Sequence, residues 1–462
     1  MTDYEYDITV IGAGPAGYVA AIKAAQEGKK TCIIERAKFG GVCLNEGCIP
    51  TKTLIKTANV LHEVKESGQF GIEGVEPSRI TVSMDKLQQR KAGVVQRLVE
   101  GVQALLRANK VAIFEGSASF ADAHTVLAGR EKITSEYVII ATGSEATIPS
   151  SIKQEGRNTI LTSREALDID HIPGSIVIIG GGVIGVEFAY LFNKLGAKVC
   201  VLELMDQILP GIDGEIARMA QKRLTKDGVV IHTGAGVAAI TNNAVLFEKN
   251  GATATAQADC VLVAVGRAPC TEGLNAKEIG IEFDRAAIKT NDELRTSIPN
   301  IFAIGDVNGK VMLAHAASRE GIMAVEAICG KKARMEYGTI PSCIYLEPEI
   351  ASIGMTEKQA REKRVDVKVG KFPMTANGKS LVEGDSDGVV KVIVDGDVGA
   401  ILGVHLYSRH ATDMIAEIAV AMVLEATAEE IIHTVHPHPT VSEAVHEAFM
   451  AAYGKAIHCM RT

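Results

Sequence analysis

Two glycine fingerprints, each set between an apolar run and a helix-forming segment, restrict this chain more than any other feature. Gly12-Ala13-Gly14-Pro15-Ala16-Gly17 follows the apolar residues 8–11, and Gly180-Gly181-Gly182-Val183-Ile184-Gly185 follows residues 176–179. Glu35 closes the strand-like run after the first, eighteen residues beyond Gly17, and Glu203 does the same eighteen residues beyond Gly185. In such a unit one glycine makes a tight turn, one lets the backbone approach a pyrophosphate, and one allows close helix–strand packing, while the terminal carboxylate accepts from a ribose hydroxyl. A single fingerprint is weak, but two of the same design predict two dinucleotide-binding units. Each is followed by a second apolar strand running into a small turn, residues 137–143 and 260–266.

The length of 462 residues allows about three domains at about 150 residues each. We expect an α/β protein with two Rossmann-like dinucleotide-binding domains and a C-terminal α+β domain. The expected division is 1–146 for the first part of one dinucleotide domain, 147–270 for the other, 271–338 for the return to the first, and 339–462 for the C-terminal unit. In that last unit, residues 412–424 form a helix whose apolar surface exceeds one stripe, which calls for a covering partner. The net charge of −8 argues against nucleic acid or an anionic membrane as partner. Asp3, Glu5 and Asp7 stand where a secretory leader would be basic. The most apolar stretch, residues 176–186, is far below the roughly 20 residues that cross a bilayer. A cytoplasmic protein without membrane contact is the expectation, and no metal ligand set is predicted.

Nine cysteines in a long chain do not suggest a secreted disulfide framework, so closely spaced pairs draw attention. Cys43 and Cys48 lie in Gly40-Gly41-Val42-Cys43-Leu44-Asn45-Glu46-Gly47-Cys48-Ile49-Pro50-Thr51-Lys52. Five residues of regular helix rise about 7.5 Å, beyond the usual Cα separation of a disulfide, so a bridge needs a local distortion that Gly47 or Pro50 could supply. A strained, reducible disulfide is the preferred reading, two buried thiols the alternative, and zinc fits poorly without a second Cys or His pair. Near the C-terminus, His436-Pro437-His438-Pro439-Thr440-Val441-Ser442-Glu443 pairs a histidine with a carboxylate, an arrangement suited to moving protons to and from thiols. Thr440 and Glu443 also have capping-box spacing, so Glu443 either orients His438 or caps a helix. Glu203 favours NAD over NADP, because it would repel a 2′-phosphate; the bland alternative is a solvated strand end.

Taken together, these motifs, with Ile304-Gly305-Asp306 and His-Pro-Thr-x-x-Glu, resemble the flavin-dependent pyridine nucleotide-disulfide oxidoreductases over essentially the whole chain. Within that family the similarity is greatest to members that oxidise dihydrolipoamide. The resemblance implies that Gly12, Gly14, Gly17 and Glu35 hold FAD, with Thr142, Gly143, Asp306, Ala314 and His315 along it and Lys52 near the flavin ring. It implies NAD at Gly180, Gly182, Gly185, Glu203 and Gly266, with Glu187 as the partner of Lys52. It also implies a homodimer in which His438, oriented by Glu443, serves Cys43 and Cys48 of the other subunit, and a lipoylated protein as substrate. That protein would belong to a 2-oxoacid dehydrogenase, acetoin or glycine cleavage complex. An NADPH-dependent disulfide reductase of the glutathione reductase type is the rival expectation. The family's Gly-Arg-x-Pro-Asn reads Gly266-Arg267-Ala268-Pro269-Cys270 here, which questions any contact made by that asparagine. Cys459 stands alone at the C-terminus.

Overall fold

The strand Tyr6–Ile11 ends in four β-branched residues, Ile8, Thr9, Val10 and Ile11, and buries both faces, with Ile8 and Val10 wholly excluded from solvent. Such a strand belongs inside a parallel sheet covered by helices on both sides. In the computed structural model, which describes residues 4–155, 159–242, 244–332, 334–363 and 366–460, it pairs in parallel with Thr31–Glu35 on one side and Glu131–Ile140 on the other. Ala112–Glu115 extends the first edge. The long strand Glu131–Ile140 divides its outer edge: Val138 to Ile140 pair in parallel with Ile301–Ala303, and Glu131 to Thr134 pair antiparallel with Thr125–Ala128. Residues near 301 therefore return to the first sheet.

The second sheet repeats this plan. Its order is Val230–His232, Lys198–Leu202, Ser175–Ile179, Cys260–Val263 and Thr159–Leu161, all parallel. The fifth position is filled by chain that precedes the fingerprint, whereas in the first sheet it is filled by chain that follows. The helices Pro15–Gln26 and Val183–Leu195 start at the fingerprints, the former helped by a proline in its first turn and the latter ended by left-handed Gly196. The passage between the sheets is a two-stranded ribbon, in which Ser144–Ala146 runs out beside the returning Arg267–Pro269.

From Ser342 onward the chain forms a five-stranded antiparallel sheet, with Ala411–Val423, Ala428–His433 and Glu443–Ala452 supplying its helical cover. Met414, Ile415 and Ile418 of the first helix join Val445 and Phe449 of the last against the sheet. The expected helix thus begins one residue early. Val420, Val423 and Leu424 remain 61%, 66% and 73% exposed, an apolar edge that this chain does not cover. Among the described residues no helix is long and apolar enough to cross a membrane.

A buried lysine ties this domain to the second sheet's layer. Lys391, on Val389–Asp395, is 2.9 Å from Asp213 and 2.7 Å from Glu357, with only 3% of its side chain exposed. Burial pushes the Asp213 carboxyl up, but Lys391 outweighs it and holds the group below the usual carboxylate range. Asp213 also accepts from Glu215 at the start of the helix Gly214–Lys226. Removing one partner of a buried pair leaves the other charge uncompensated, so Lys391→Met should destabilise the protein by about 3–5 kcal/mol. Asp213→Asn in the Lys391→Met background should recover part of the loss, as read from thermal melts of the two variants side by side.

Candidate active site

The sequence Gly40 to Lys52 folds as two helices rather than one. Gly41–Glu46 carries Cys43, Gly47 breaks the run at φ −146° and ψ −113°, and Cys48 opens Cys48–Lys65. This break brings the thiols together where one regular helix would hold them apart. They stand here as two unbridged thiols in hydrogen-bond contact. Cys48 occupies the first turn of an 18-residue helix, where the helix dipole and unpaired backbone N–H groups favour a thiolate. The hydrogen bond from Cys43 and the Lys52 charge outweigh burial and lower Cys48 to about 7. Donating that bond, together with burial, pushes Cys43 up. The pair is electronically unequal: one sulfur is poised as an anion and the other as a thiol.

Lys52 lies one turn after Cys48. Its Nζ reaches both Glu187 oxygens, at 2.9 and 2.7 Å, and sits 4.7 Å from the Tyr345 ring centroid. Glu187 is buried on Val183–Leu195 and also accepts the Tyr345 backbone N–H at 3.0 Å. One ion pair thereby joins the thiol helix, the second fingerprint helix and the start of the C-terminal domain.

A single cleft of about 1340 Å³ runs past both fingerprints and the thiols. Gly12, Gly14, Glu35, Lys52, Thr142, Gly143, Asp306, Ala314 and His315 line it from the first sheet's layer, and Gly180, Gly182, Glu187, Glu203 and Gly266 from the second. Gly17 and Gly185 lie behind it, because they serve packing: a Cβ there would stand 1.8 Å from the Gly12 carbonyl oxygen and 1.9 Å from that of Gly180. Gly12 and Gly180 turn at φ +100° and +106°, where a Cβ would strike the Ala141 and Ala264 carbonyls at 2.4 Å. A Cβ at Gly182, in contrast, would meet nothing within 4 Å, which leaves the space a pyrophosphate needs. The carboxylates match too. Glu35 accepts from Ala13 and Ala37 N–H at 2.7 and 2.8 Å, Glu203 from Gly181 and Met205 N–H at 2.5 and 2.7 Å. Each is held rigidly beside its glycine turn with lone pairs left for a ribose. The residues fit two dinucleotides.

Several supporting groups carry no sequence signal. Ser144 donates to Asp306 at 2.5 Å and receives Arg267 Nε at 2.8 Å. Glu320, fully buried, accepts from Gly305 N–H, Asn308 and the Tyr337 hydroxyl, and so fixes the turn Gly305–Asn308 that presents Asp306. Burial pushes that carboxyl up. At Cys270 the backbone is tied to the first sheet's turn, with its carbonyl accepting from Thr142 at 2.6 Å and its N–H donating to the Gly143 carbonyl at 2.9 Å.

His438 does not line this cleft; its side chain is 77% exposed, in the C-terminal domain. Glu443 bridges the imidazole and the loop backbone rather than capping a helix. One oxygen meets His438 Nδ1 at 2.9 Å, and the other accepts the Thr440 N–H at 2.9 Å. The capping box itself is incomplete, since the Thr440 hydroxyl donates to the Pro437 carbonyl and the helix Glu443–Ala452 starts after Ser442. Neighbouring His436 turns inward to Glu417 at 2.8 Å.

Two dinucleotide cradles converging on an asymmetric thiol pair define a redox enzyme of the disulfide oxidoreductase class. The chain belongs to the pyridine nucleotide-disulphide oxidoreductase family, whose model matches residues 6–321, and residues 340–449 match that family's dimerisation domain. FAD and NAD(H) are accordingly its cofactors. It is 41% identical to a dihydrolipoyl dehydrogenase of Bacillus subtilis (strain 168), over 98% of this chain and 99% of the relative. Against a dihydrolipoyl dehydrogenase of Geobacillus stearothermophilus the identity is 42%, covering 98% and 97%. Among solved structures, the HOCl-induced flavoprotein disulfide reductase RclA from Escherichia coli superposes with a TM-score of 0.85 at 29% identity, covering 96% and 99%.

The electrostatics at Cys48 can be tested directly. The Cys48 thiolate should form with a midpoint near pH 7, present above it and lost as pH falls. Lys52→Met removes the cation that favours the anion and should raise the midpoint by about one unit or more, whereas Glu187→Gln should lower it. Thiolate absorbance of the reduced protein, followed against pH, reads all three.

Proposed function

We propose that this protein acts as a dihydrolipoyl dehydrogenase, oxidising protein-bound dihydrolipoamide to lipoamide while NAD is reduced. The observation that carries the reading is one continuous cleft holding an unequal thiol pair between two dinucleotide cradles. Full-length similarity to dihydrolipoyl dehydrogenases supports the substrate. The working subunits form a homodimer, and the apolar edge of Val420, Val423 and Leu424 supports such pairing.

In the oxidised enzyme Cys43 and Cys48 form the disulfide. His438 of one subunit takes a proton from a substrate thiol, and Glu443 stabilises the imidazolium through Nδ1. The new thiolate attacks Cys43, forming a mixed disulfide and releasing Cys48 as a thiolate, the state that its helix terminus and Lys52 favour. The second substrate thiol attacks the mixed disulfide and displaces Cys43; His438 gives its first proton to the departing Cys43 sulfur and takes that of the second thiol, so Cys43 ends as a thiol and Cys48 as a thiolate. The substrate leaves as a cyclic disulfide and the cysteines hold two added electrons. FAD, when bound along Gly12, Gly14, Glu35 and Asp306, supplies the two-electron relay to NAD. Glu203 selects NAD, because no lysine or arginine stands beside it in Glu203-Leu204-Met205-Asp206 to receive a 2′-phosphate. The lipoyl group arrives on a separate protein of a 2-oxoacid dehydrogenase, acetoin or glycine cleavage complex. A cytoplasmic setting suits a chain whose cysteines serve as thiols.

Loss of one charge-assisted hydrogen bond predicts a kcat/KM preference for NAD over NADP on the order of ten- to a hundredfold, and equal values would contradict the assignment of Glu203. His438→Gln should reduce dihydrolipoamide turnover by about 10²–10⁴ and retain bound flavin. Mixing inactive His438→Gln with inactive Cys43→Ser should restore activity once protomers exchange, because each mixed dimer then contains one intact site. Proven exchange without recovery would place both residues' action within one chain.

A further inference from the structure

The helix Glu443–Ala452 carries a second carboxylate–imidazole pair that the reaction above does not use. Glu443 and Glu447 are four residues apart and so share a helix face. Both carboxylates are employed in the same way. Glu443 divides its oxygens between His438 Nδ1 and the Thr440 N–H. Glu447 places one oxygen 2.7 Å from His458 Nδ1 and takes the Ile457 and His458 N–H groups on the other, at 3.0 and 3.2 Å. One histidine comes from the loop before the helix, the other from the chain after it. The imidazoles are 77% and 72% exposed, while the Glu447 side chain is only 6% exposed. A buried carboxylate bonded three times by one short segment holds that segment firmly against the helix that Glu443 begins.

We propose that Glu447 and His458 act as positioning residues for His438, docking the C-terminal segment next to it and setting the pH at which it accepts a proton. The inference rests on the dihydrolipoyl dehydrogenase reading only in taking His438 as the base of the reaction. Its physics is separate. Glu447 lies one turn along the helix from Glu443, which holds His438; negative charge at Glu447 favours the imidazolium there, and positive charge at His458 opposes it. The charge of His458 is felt at Glu443: burial pushes that carboxyl up, the Thr440 amide and His438 pull it down, and His458 adds to the pull. Other charged groups of this domain have partners of their own, although His436 also feels Glu443. His436 pairs with Glu417, His446 meets the Ile432 carbonyl, Lys368 the Gly396 carbonyl, and Glu430 caps its own helix. Lys371 and Lys391, on the strands under the helix, are paired with Glu215 and Asp213.

The test is the acid limb of kcat/KM for dihydrolipoamide in the flavin-loaded dimer, beside the titration of the His438 ring proton by NMR. His458→Gln leaves Glu447 negative and should move both midpoints up by about half a pH unit, the size of one water-screened unit charge several ångströms away. Glu447→Gln should move them down by a similar amount. His458→Lys, which holds a permanent positive charge, should also move them down, and it serves if Glu447→Gln fails to fold. NADH-linked reduction of ferricyanide, which needs no thiol base, should be unchanged throughout. Midpoints that stay put, or that move in the same direction for His458→Gln and His458→Lys, overturn the proposal, since loss of docking alone has no charge sign. Opposed shifts of the His438 ring in a protein that never oxidises dihydrolipoamide would keep this inference and sink the functional reading.

Discussion

Electrons that enter at a cysteine pair and leave at a nicotinamide must cross between two separately folded sheets, so the sheets have to be fixed relative to each other at the crossing. The Lys52–Glu187 ion pair does this. Lys52 belongs to the helix begun by Cys48, Glu187 to the helix begun by the second fingerprint, and Tyr345 closes over both from the C-terminal domain. Such a pair brings little net stability when buried, because desolvation offsets the Coulomb attraction. Its contribution is geometric and electrostatic: a cation held one turn from a sulfur that must carry charge. The same lysine could not do both tasks from a solvent-exposed, flexible position.

Unequal sulfurs follow from that arrangement. Cys43 and Cys48 are the same residue type, yet Gly47 places only Cys48 at the start of a long helix, and Cys48 receives the hydrogen bond that Cys43 donates. In the proposed reaction, substrate thiols therefore have a defined point of attack and a defined leaving group. The His438 ring is likewise held from one side, with Glu443 at Nδ1.

What was legible in the sequence is what backbone geometry demands of residue type. A left-handed turn pressed against a carbonyl admits only glycine at Gly12 and Gly180, and the strand length fixes where Glu35 and Glu203 fall. Cys43 and Cys48 were visible by spacing, and so was the need for a break at Gly47 or Pro50; that Gly47 makes it, with Pro50 inside the second helix, took the fold to show. Lys52 and Glu187 came from the resemblance alone, since a lysine on a helix has the same local signature whether it faces water or a buried acid. Ser144, Arg267, Glu320 and the Lys391 cluster were invisible for a related reason: their partners lie 12 to 178 residues away, and no local pattern encodes a contact made by the fold. The Thr440–Glu443 spacing misled in part, because the Thr440 hydroxyl found a nearer acceptor at Pro437.

The ribbon of Ser144–Ala146 against Arg267–Pro269 has a consequence for how the molecule is strung together. The chain leaves the first sheet's layer and re-enters it at one place, through two strands hydrogen-bonded to each other, so everything between them is a loop grown to the size of a domain. Connectivity alone would let that loop swing about the ribbon. Ties on several flanks prevent it, among them Glu187 to Lys52, Asp168 to Lys91, Tyr190 to Asn59 and Asp213 to Lys391. They turn a tethered appendage into a fixed wall, so the second glycine cradle keeps its place beside the thiols.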